Sequence, residues 1–245
     1  MRISEIFHSI QGEGLLAGVP SIFIRTSGCN LRCDWCDTPY ASWKPEGPEM
    51  SVLEILKKIS VWNCNHVVLT GGEPMITHDL AELAGALKKQ GKHITIETAG
   101  TIPPSNIPCN LASLSPKLSN STPPASRDPA WAKKHEATRL QSEVISEWIR
   151  SYPFQLKFVV ASENDLVEIK SLLSRLETFV APPHQSVWGE EGPPVPLHQI
   201  LLMPEGIDVK TLATRSQWLV DICKREGFRF CPRLQIELFG HKRGT

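Results

Sequence analysis

The chain has 245 residues, of which 41% are hydrophobic and 21% charged, a make-up that fits an enzyme-sized globular protein and excludes a disordered or fibrous one. Lys plus Arg and Asp plus Glu number 26 each, which removes the basic excess that nucleic-acid binders usually carry. The start, MRISEIFHSIQGEG, lacks the basic segment and apolar run of a secretory leader, and no stretch approaches the roughly 18 apolar residues of a membrane span, so a cytoplasmic protein is expected.

Short β-rich runs alternate with amphipathic stretches of helical length. A strand-like segment covers residues 3–10, and the first core strand is SIFIRT, 21–26. Ser51 and Glu54 form a capping-box pattern ahead of Val52, Ile55, Leu56 and Ile59, which predicts a helix there. HVVLT (66–70) is the second strand; Thr77 is a candidate cap for a helix carrying Leu80, Leu83, Ala84 and Leu87 and stopping at Gly91. HITIET (93–98) and LASLS (111–115) follow, with too few residues between them for a helix. A helix over 136–150, the strand QLKFVV (155–160), a helix over 163–176, the strand QILLM (199–203) and a helix over 208–226 complete the alternation, and a strand-like run covers 228–238. Residues 118–131 and 181–196 are rich in Pro, Ser and Gly and predict exposed loops. The expected architecture is a partial (β/α)6 TIM-like barrel with one degenerate crossover and extensions at both ends: a single domain over 1–245, core about 20–227.

Cys29, Cys33 and Cys36 lie within eight positions directly after the first core strand, the end at which parallel α/β folds place their sites. Cys64, Cys109, Cys223 and Cys231 are scattered singly and read as free core thiols. A structural zinc site wants four ligands, usually two separated pairs, and no second pair exists. Three thiolates at a four-iron cluster leave one iron open to a substrate or cofactor, which gives the missing fourth cysteine a use.

The stretch Cys29-Asn-Leu-Arg-Cys33-Asp-Trp-Cys36 resembles the cluster motif of the radical S-adenosylmethionine superfamily. That resemblance implies a 4Fe-4S cluster on Cys29, Cys33 and Cys36, with S-adenosylmethionine chelating the open iron and Trp35 and Asp37 beside it. Thr70-Gly71-Gly72-Glu73-Pro74 resembles the superfamily's cofactor-binding GGE segment, where glycine permits close backbone approach; alone it would read as a strand-to-helix turn. Glu97-Thr98-Ala99-Gly100-Thr101 matches a further family segment, and Ser115-Pro116-Lys117 resembles a cofactor-contacting one, with a hydroxyl and an ammonium for ribose and carboxylate.

Outside the cluster motif, Ser9-Ile10-Gln11-Gly12-Glu13-Gly14, Arg25 and Cys36-Asp37-Thr38 resemble the 7-carboxy-7-deazaguanine synthase family, a likeness that runs over essentially the whole chain. It implies a pterin substrate, 6-carboxy-5,6,7,8-tetrahydropterin, held by Ile10, Gln11, Gly12, Glu13, Arg25, Thr70 and Thr245, with Mg2+ at Thr38. Arg25 suits the carboxylate, because its planar fork matches one bidentately. The implied reaction takes hydrogen from C6, contracts the ring, loses ammonia and reuses S-adenosylmethionine. The likeness further implies a homodimer served by a flavodoxin- or ferredoxin-type reductant. Two rivals remain open: a glycyl-radical enzyme activase, which shares the cysteine spacing, and a non-catalytic iron-sulfur module.

Overall fold

The structure, a computed structural model, describes residues 1–179 and 195–245. Its strands are β1 (Ile3–Ile10), β2 (Pro20–Thr26), β3 (His66–Gly71), β4 (His93–Thr98), β5 (Leu111–Leu114), β6 (Phe154–Val160), β7 (Ile200–Pro204) and β8 (Arg229–Phe230). They form one sheet in chain order, β1 antiparallel to β2 and every later pair parallel. The sheet is open: β1 and β8 are its two edges. The crossovers carry α1 (Val52–Ile59) after β2, α2 (Leu80–Lys89) after β3, α3 (Pro129–Thr138) and α4 (Ser142–Ser151) after β5, α5 (Asp165–Phe179) after β6 and α6 (Val209–Glu226) after β7. α7 (Leu234–Phe239) follows β8, and no helix joins β4 to β5. This is the expected partial barrel of β/α units with one bare crossover.

The central strands β3 to β7 are buried on both faces, so period-2 alternation separates two chemistries rather than inside from outside. Ile22, Ile24, Val67, Leu69, Ile94, Ile96, Leu156, Phe158 and Leu202 pack in the main core with Ile55, Leu83, Leu87, Trp148, Leu172 and Leu219 of the helices. The intervening residues Arg25, Thr70, Glu97, Ser113 and Lys157 line a cavity on the other face. Each large side chain removed from water in the helix layer contributes about 1.5–3 kcal/mol, which lets the concave face carry charge instead of apolar packing. The Trp148 indole N–H is satisfied inside that core, donating to the Ile102 carbonyl at 2.9 Å.

Local signals explain most boundaries. Ser51 Oγ accepts from Glu54 N (3.3 Å) and Glu54 Oε2 accepts from Ser51 N (2.8 Å), closing the expected capping box. Gly227 ends α6 in the left-handed region, φ 74°, as its position after the helix predicts.

Four expectations are corrected. Thr77 is not the cap of α2: Pro74 starts a 3-10 turn over Pro74–Ile76, which Thr77 ends by donating its N–H to Pro74, and Asp79 precedes the helix. The helix expected over 136–150 is two, α3 beginning at Pro129 behind an Asp128 cap and α4 at Ser142. Within 118–131, Leu118 and Ser121 are buried, so this stretch is not simply an exposed loop. The strand-like run 228–238 pairs only at Arg229–Phe230, after which Pro232 offers no N–H to continue the ladder and α7 follows. Of the loop expected over 181–196, residues 181–194 lie outside the described residues.

Candidate active site

The C-terminal ends of β2 to β7 open on one cavity. The loop that leaves β2 turns at Gly28, whose φ of 116° is open to glycine. Gly28 donates to Ala41 O at 2.8 Å and accepts from Glu73 N at 2.9 Å, which ties the loop to the end of β3. Cys29, Cys33 and Cys36 all line the cavity. Burial pushes the Cys29 and Cys33 thiols up to about 12, so a positive centre is needed to hold them as thiolates. Cys36 Sγ lies 3.1 Å from Ser42 Oγ and 3.8 Å from Thr38 Oγ1.

Among the described residues, no three His, Cys, Asp or Glu side chains are arranged to hold a single metal ion. Three thiols opening separately on one cavity suit instead a polynuclear iron-sulfur cluster, whose irons occupy different corners. Space beside them is kept by glycine: a Cβ on Gly72 would stand 2.3 Å from Gly28 O, 2.6 Å from Ala41 O and 2.7 Å from Cys29 Cβ. Gly71 and Gly72 line the cavity, whereas the Glu73 carboxylate is buried beneath it, accepting from Thr98 Oγ1 (2.7 Å), Ala99 N (2.8 Å) and Met75 N (3.1 Å). Burial pushes the Glu73 carboxyl up even so. Ser115 and Lys117 line the cavity, with Lys117 Nζ donating to Ser115 Oγ at 2.8 Å; Pro116 between them does not. Trp35 lines it too, its indole N–H fixed on Asn120 O at 3.0 Å.

A second set of side chains surrounds the same space. Glu13 accepts from Lys157, from Arg233 Nε (3.2 Å) and from Gln235 Nε2 (2.8 Å). Burial alone would raise the Glu13 carboxyl, but Lys157 and Arg233 hold it well below the usual range. Arg233 also donates to Asp37 and to Gly206 O, so a chain of alternating charge runs Lys157, Glu13, Arg233, Asp37. Gln11 donates to Glu97 Oε1 at 3.1 Å and accepts from Glu13 N at 3.1 Å. Arg25 Nε donates to Glu5 Oε1 at 2.8 Å, and the Tyr40 hydroxyl donates to the same oxygen at 2.7 Å. The Nη groups of Arg25 make no hydrogen bond among the described residues, which leaves one edge of its fork for a guest. Ile10, Gly12, Thr38, Thr70 and Thr245 also line the cavity.

Every residue given a cluster, cofactor, Mg2+ or substrate role from the sequence, except Glu73 and Pro116, thus borders one cavity. Sequence reasoning passed over Lys157, Arg233 and Gln235, and gave Glu97 no role of its own. A lysine inside QLKFVV was the readable signal, since a charge within a buried strand needs a partner.

An open parallel barrel that gathers three loop thiols and two strand-end glycines around one cavity defines the class: this is a radical S-adenosylmethionine enzyme, and the sequence model of the Radical SAM superfamily matches residues 23–111. The chain is 44% identical, over its full length and 89% of the relative, to 7-carboxy-7-deazaguanine synthase of Rhodopirellula baltica. It is 41% identical to that of Halobacterium salinarum, over 98% of the chain and 90% of the relative. The crystal structure of QueE from Escherichia coli superposes with a TM-score of 0.66 at 26% identity, covering 94% of this chain and 92% of that one. The chain belongs to the 7-carboxy-7-deazaguanine synthase family.

Proposed function

We propose that the protein converts 6-carboxy-5,6,7,8-tetrahydropterin into 7-carboxy-7-deazaguanine with loss of ammonia, a lyase step toward queuosine and related 7-deazapurines. One observation carries the reading: the residues suited to a carboxylated bicycle, Arg25 and Gln11 to Glu13, line the same cavity as Cys29, Cys33 and Cys36. A glycyl-radical activase has no need of that set, and an electron-transfer module has no need of the cavity.

In this reading Cys29, Cys33 and Cys36 hold three irons of a 4Fe-4S cluster, and the backbone at Gly71 and Gly72, with Ser115, Lys117, Trp35 and Asp37, holds S-adenosylmethionine. When bound, cluster and cofactor together supply the radical that starts the conversion. The free edge of the Arg25 guanidinium takes the substrate carboxylate, and Thr38 contributes a hydroxyl to a Mg2+ that keeps most of its waters. Gln11, its amide oriented by Glu97 and by Glu13 N, presents one remaining donor and one remaining lone pair to the pterin edge. Glu13 accepts three hydrogen bonds from the protein and retains acceptor capacity for the ring amino groups. Thr70 and Thr245 border the same guest. Residues 1–245 act as one unit in a cytoplasmic homodimer that receives electrons from a flavodoxin- or ferredoxin-type protein. Among the described residues no helix is long and apolar enough to cross a membrane.

The test is anaerobic: reconstitute with iron and sulfide, reduce in the presence of S-adenosylmethionine and Mg2+, add the carboxytetrahydropterin, and measure deazaguanine product and ammonia. Both are expected in equal amounts. A cluster that never cleaves the cofactor overturns the reading in favour of the module, and cleavage that serves only to place a radical on a partner protein overturns it in favour of the activase.

A further inference from the structure

The cysteine loop is held from behind on both sides of Cys33. Arg32 N donates to His135 Nδ1 at 3.1 Å, and Asp34 N donates to Ser121 O at 2.9 Å. His135 belongs to α3 and is completely buried; its other ring nitrogen, Nε2, lies 2.9 Å from Ser121 Oγ, which donates to Leu118 O at 2.6 Å. The directions of these bonds are determined. A backbone N–H can only donate, so Nδ1 is the acceptor, the ring hydrogen is on Nε2, and it goes to Ser121 Oγ. Burial, helped by the neighbouring Arg139, pushes His135 down to about 4, so the neutral ring this arrangement needs is the one present near neutrality. The Arg32 side chain reinforces the same contact: its guanidinium lies 4.1 Å from the centre of the Trp131 ring of α3 and donates back to Cys29 O and Leu31 O, each at 2.7 Å.

We infer that His135 is a positioning residue for the cysteine loop: by accepting the Arg32 N–H it sets the turn between Cys29 and Cys33, and with it the spacing of two cluster ligands. This rests on the reading that these cysteines bind an iron-sulfur cluster. An acceptor lost here leaves a partly buried donor unpaired, which the loop relieves by turning toward another partner and carrying both thiols with it. Groups that orient metal ligands in this way are commonly worth 10- to 100-fold in metal retention or activity.

The test uses full-length protein reconstituted anaerobically and reads cluster behaviour directly: iron and sulfide per chain, rate of iron release to a chelator, and the electron paramagnetic resonance spectrum of the reduced cluster with and without S-adenosylmethionine. His135→Leu removes both ring nitrogens at similar volume. It is expected to release iron roughly 10-fold faster or more and to alter the spectral change on cofactor addition. Should that variant fail to fold, two amides decide. In His135→Asn the amide oxygen stands where Nδ1 stood and should keep release within about twofold of the natural protein; in His135→Gln the amide reaches the Nε2 position and leaves a methylene facing Arg32 N, so release should follow the leucine variant. A leucine variant indistinguishable from the natural protein, or two amide variants that behave alike, overturns the inference. Natural protein that takes up no four-iron cluster overturns the functional reading itself.

Discussion

The guanidinium of Arg233 is bonded to the carboxylate of Asp37, the residue directly after the third cysteine of the loop. The same guanidinium reaches Glu13 through Nε, so one side chain from just before α7 ties the loop that follows β1 to the loop that follows β2. Arg233→Met leaves two carboxylates facing each other without their shared cation. Removing one partner of a buried pair costs about 3–5 kcal/mol, and because Asp37 is partly exposed the lower figure, about 3 kcal/mol, is expected for the apo-protein in urea unfolding. A loss under about 1 kcal/mol would show that the network is not what holds these loops.

The Glu13–Lys157 pair gives stability a definite pH window. Glu13 titrates below its ordinary value when folded, so its contribution is complete above about pH 4.3 and is lost as the pH falls toward the folded value. Lys157 titrates above its ordinary value, so its contribution is complete below about pH 10.4 and fades only as the pH rises toward its folded value. The contribution of this pair to the stability of the apo-protein should therefore be level across neutral pH and be lost below about pH 4, on top of a loss that begins below about pH 6.5 because unfolding lets buried His135 take up a proton. Glu13→Gln should be less stable at pH 7 and show a shallower acid limb, because the group that takes up the proton on unfolding is gone. An unchanged acid limb in that variant would assign it to other carboxylates.

Two glycine substitutions should act in opposite directions. Gly72→Ala forces a methyl into two carbonyls and Cys29 Cβ, so reconstituted iron per chain should drop sharply. Gly85, inside α2 with nothing within 4 Å of its missing Cβ, gains helix propensity instead. Gly85→Ala should raise stability by about 1 kcal/mol in thermal or urea unfolding and leave iron content unchanged.

Arg25→Ala should lower kcat/KM roughly 10- to 100-fold, the worth of a charged hydrogen-bonded pair, at unaltered cluster content. Arg25→Lys keeps the charge but not the fork and should recover only part of the loss. Wild-type kinetics in the alanine variant would remove Arg25 as the carboxylate partner and leave it as the counter-ion of Glu5.

Elements whose cause is local were readable. The Ser51–Glu54 box, the left-handed Gly227 and the strands over 66–71 and 93–98 need no information from elsewhere in the chain. The cysteine loop was readable because its three thiols are close in sequence. What escaped depends on distance: Lys157 meets Glu13 across 144 positions and Arg233 meets Glu13 across 220, and no local pattern announces either. The division of the helix expected over 136–150 escaped for the same reason, since its apolar period looks continuous while the break sits at Arg139, whose side chain is drawn to Lys117 O and Glu168. The run 228–238 looks strand-like from its β-rich composition, but the single Pro232 stops pairing and α7 follows.

The cavity has two walls of different origin. Its thiols and strand-end glycines fall between residues 29 and 72, inside the stretch matched by the superfamily model, which also holds Arg25, Thr38 and Thr70, whereas Gln11, Glu13, Lys157, Arg233 and Gln235 fall outside it, as do Ser115 and Lys117. On the proposed reading, most of the groups that meet the guest therefore lie on segments other than the one that strikes the spark, so descendants of such a scaffold can be retooled for a new molecule by changing mainly those outlying segments.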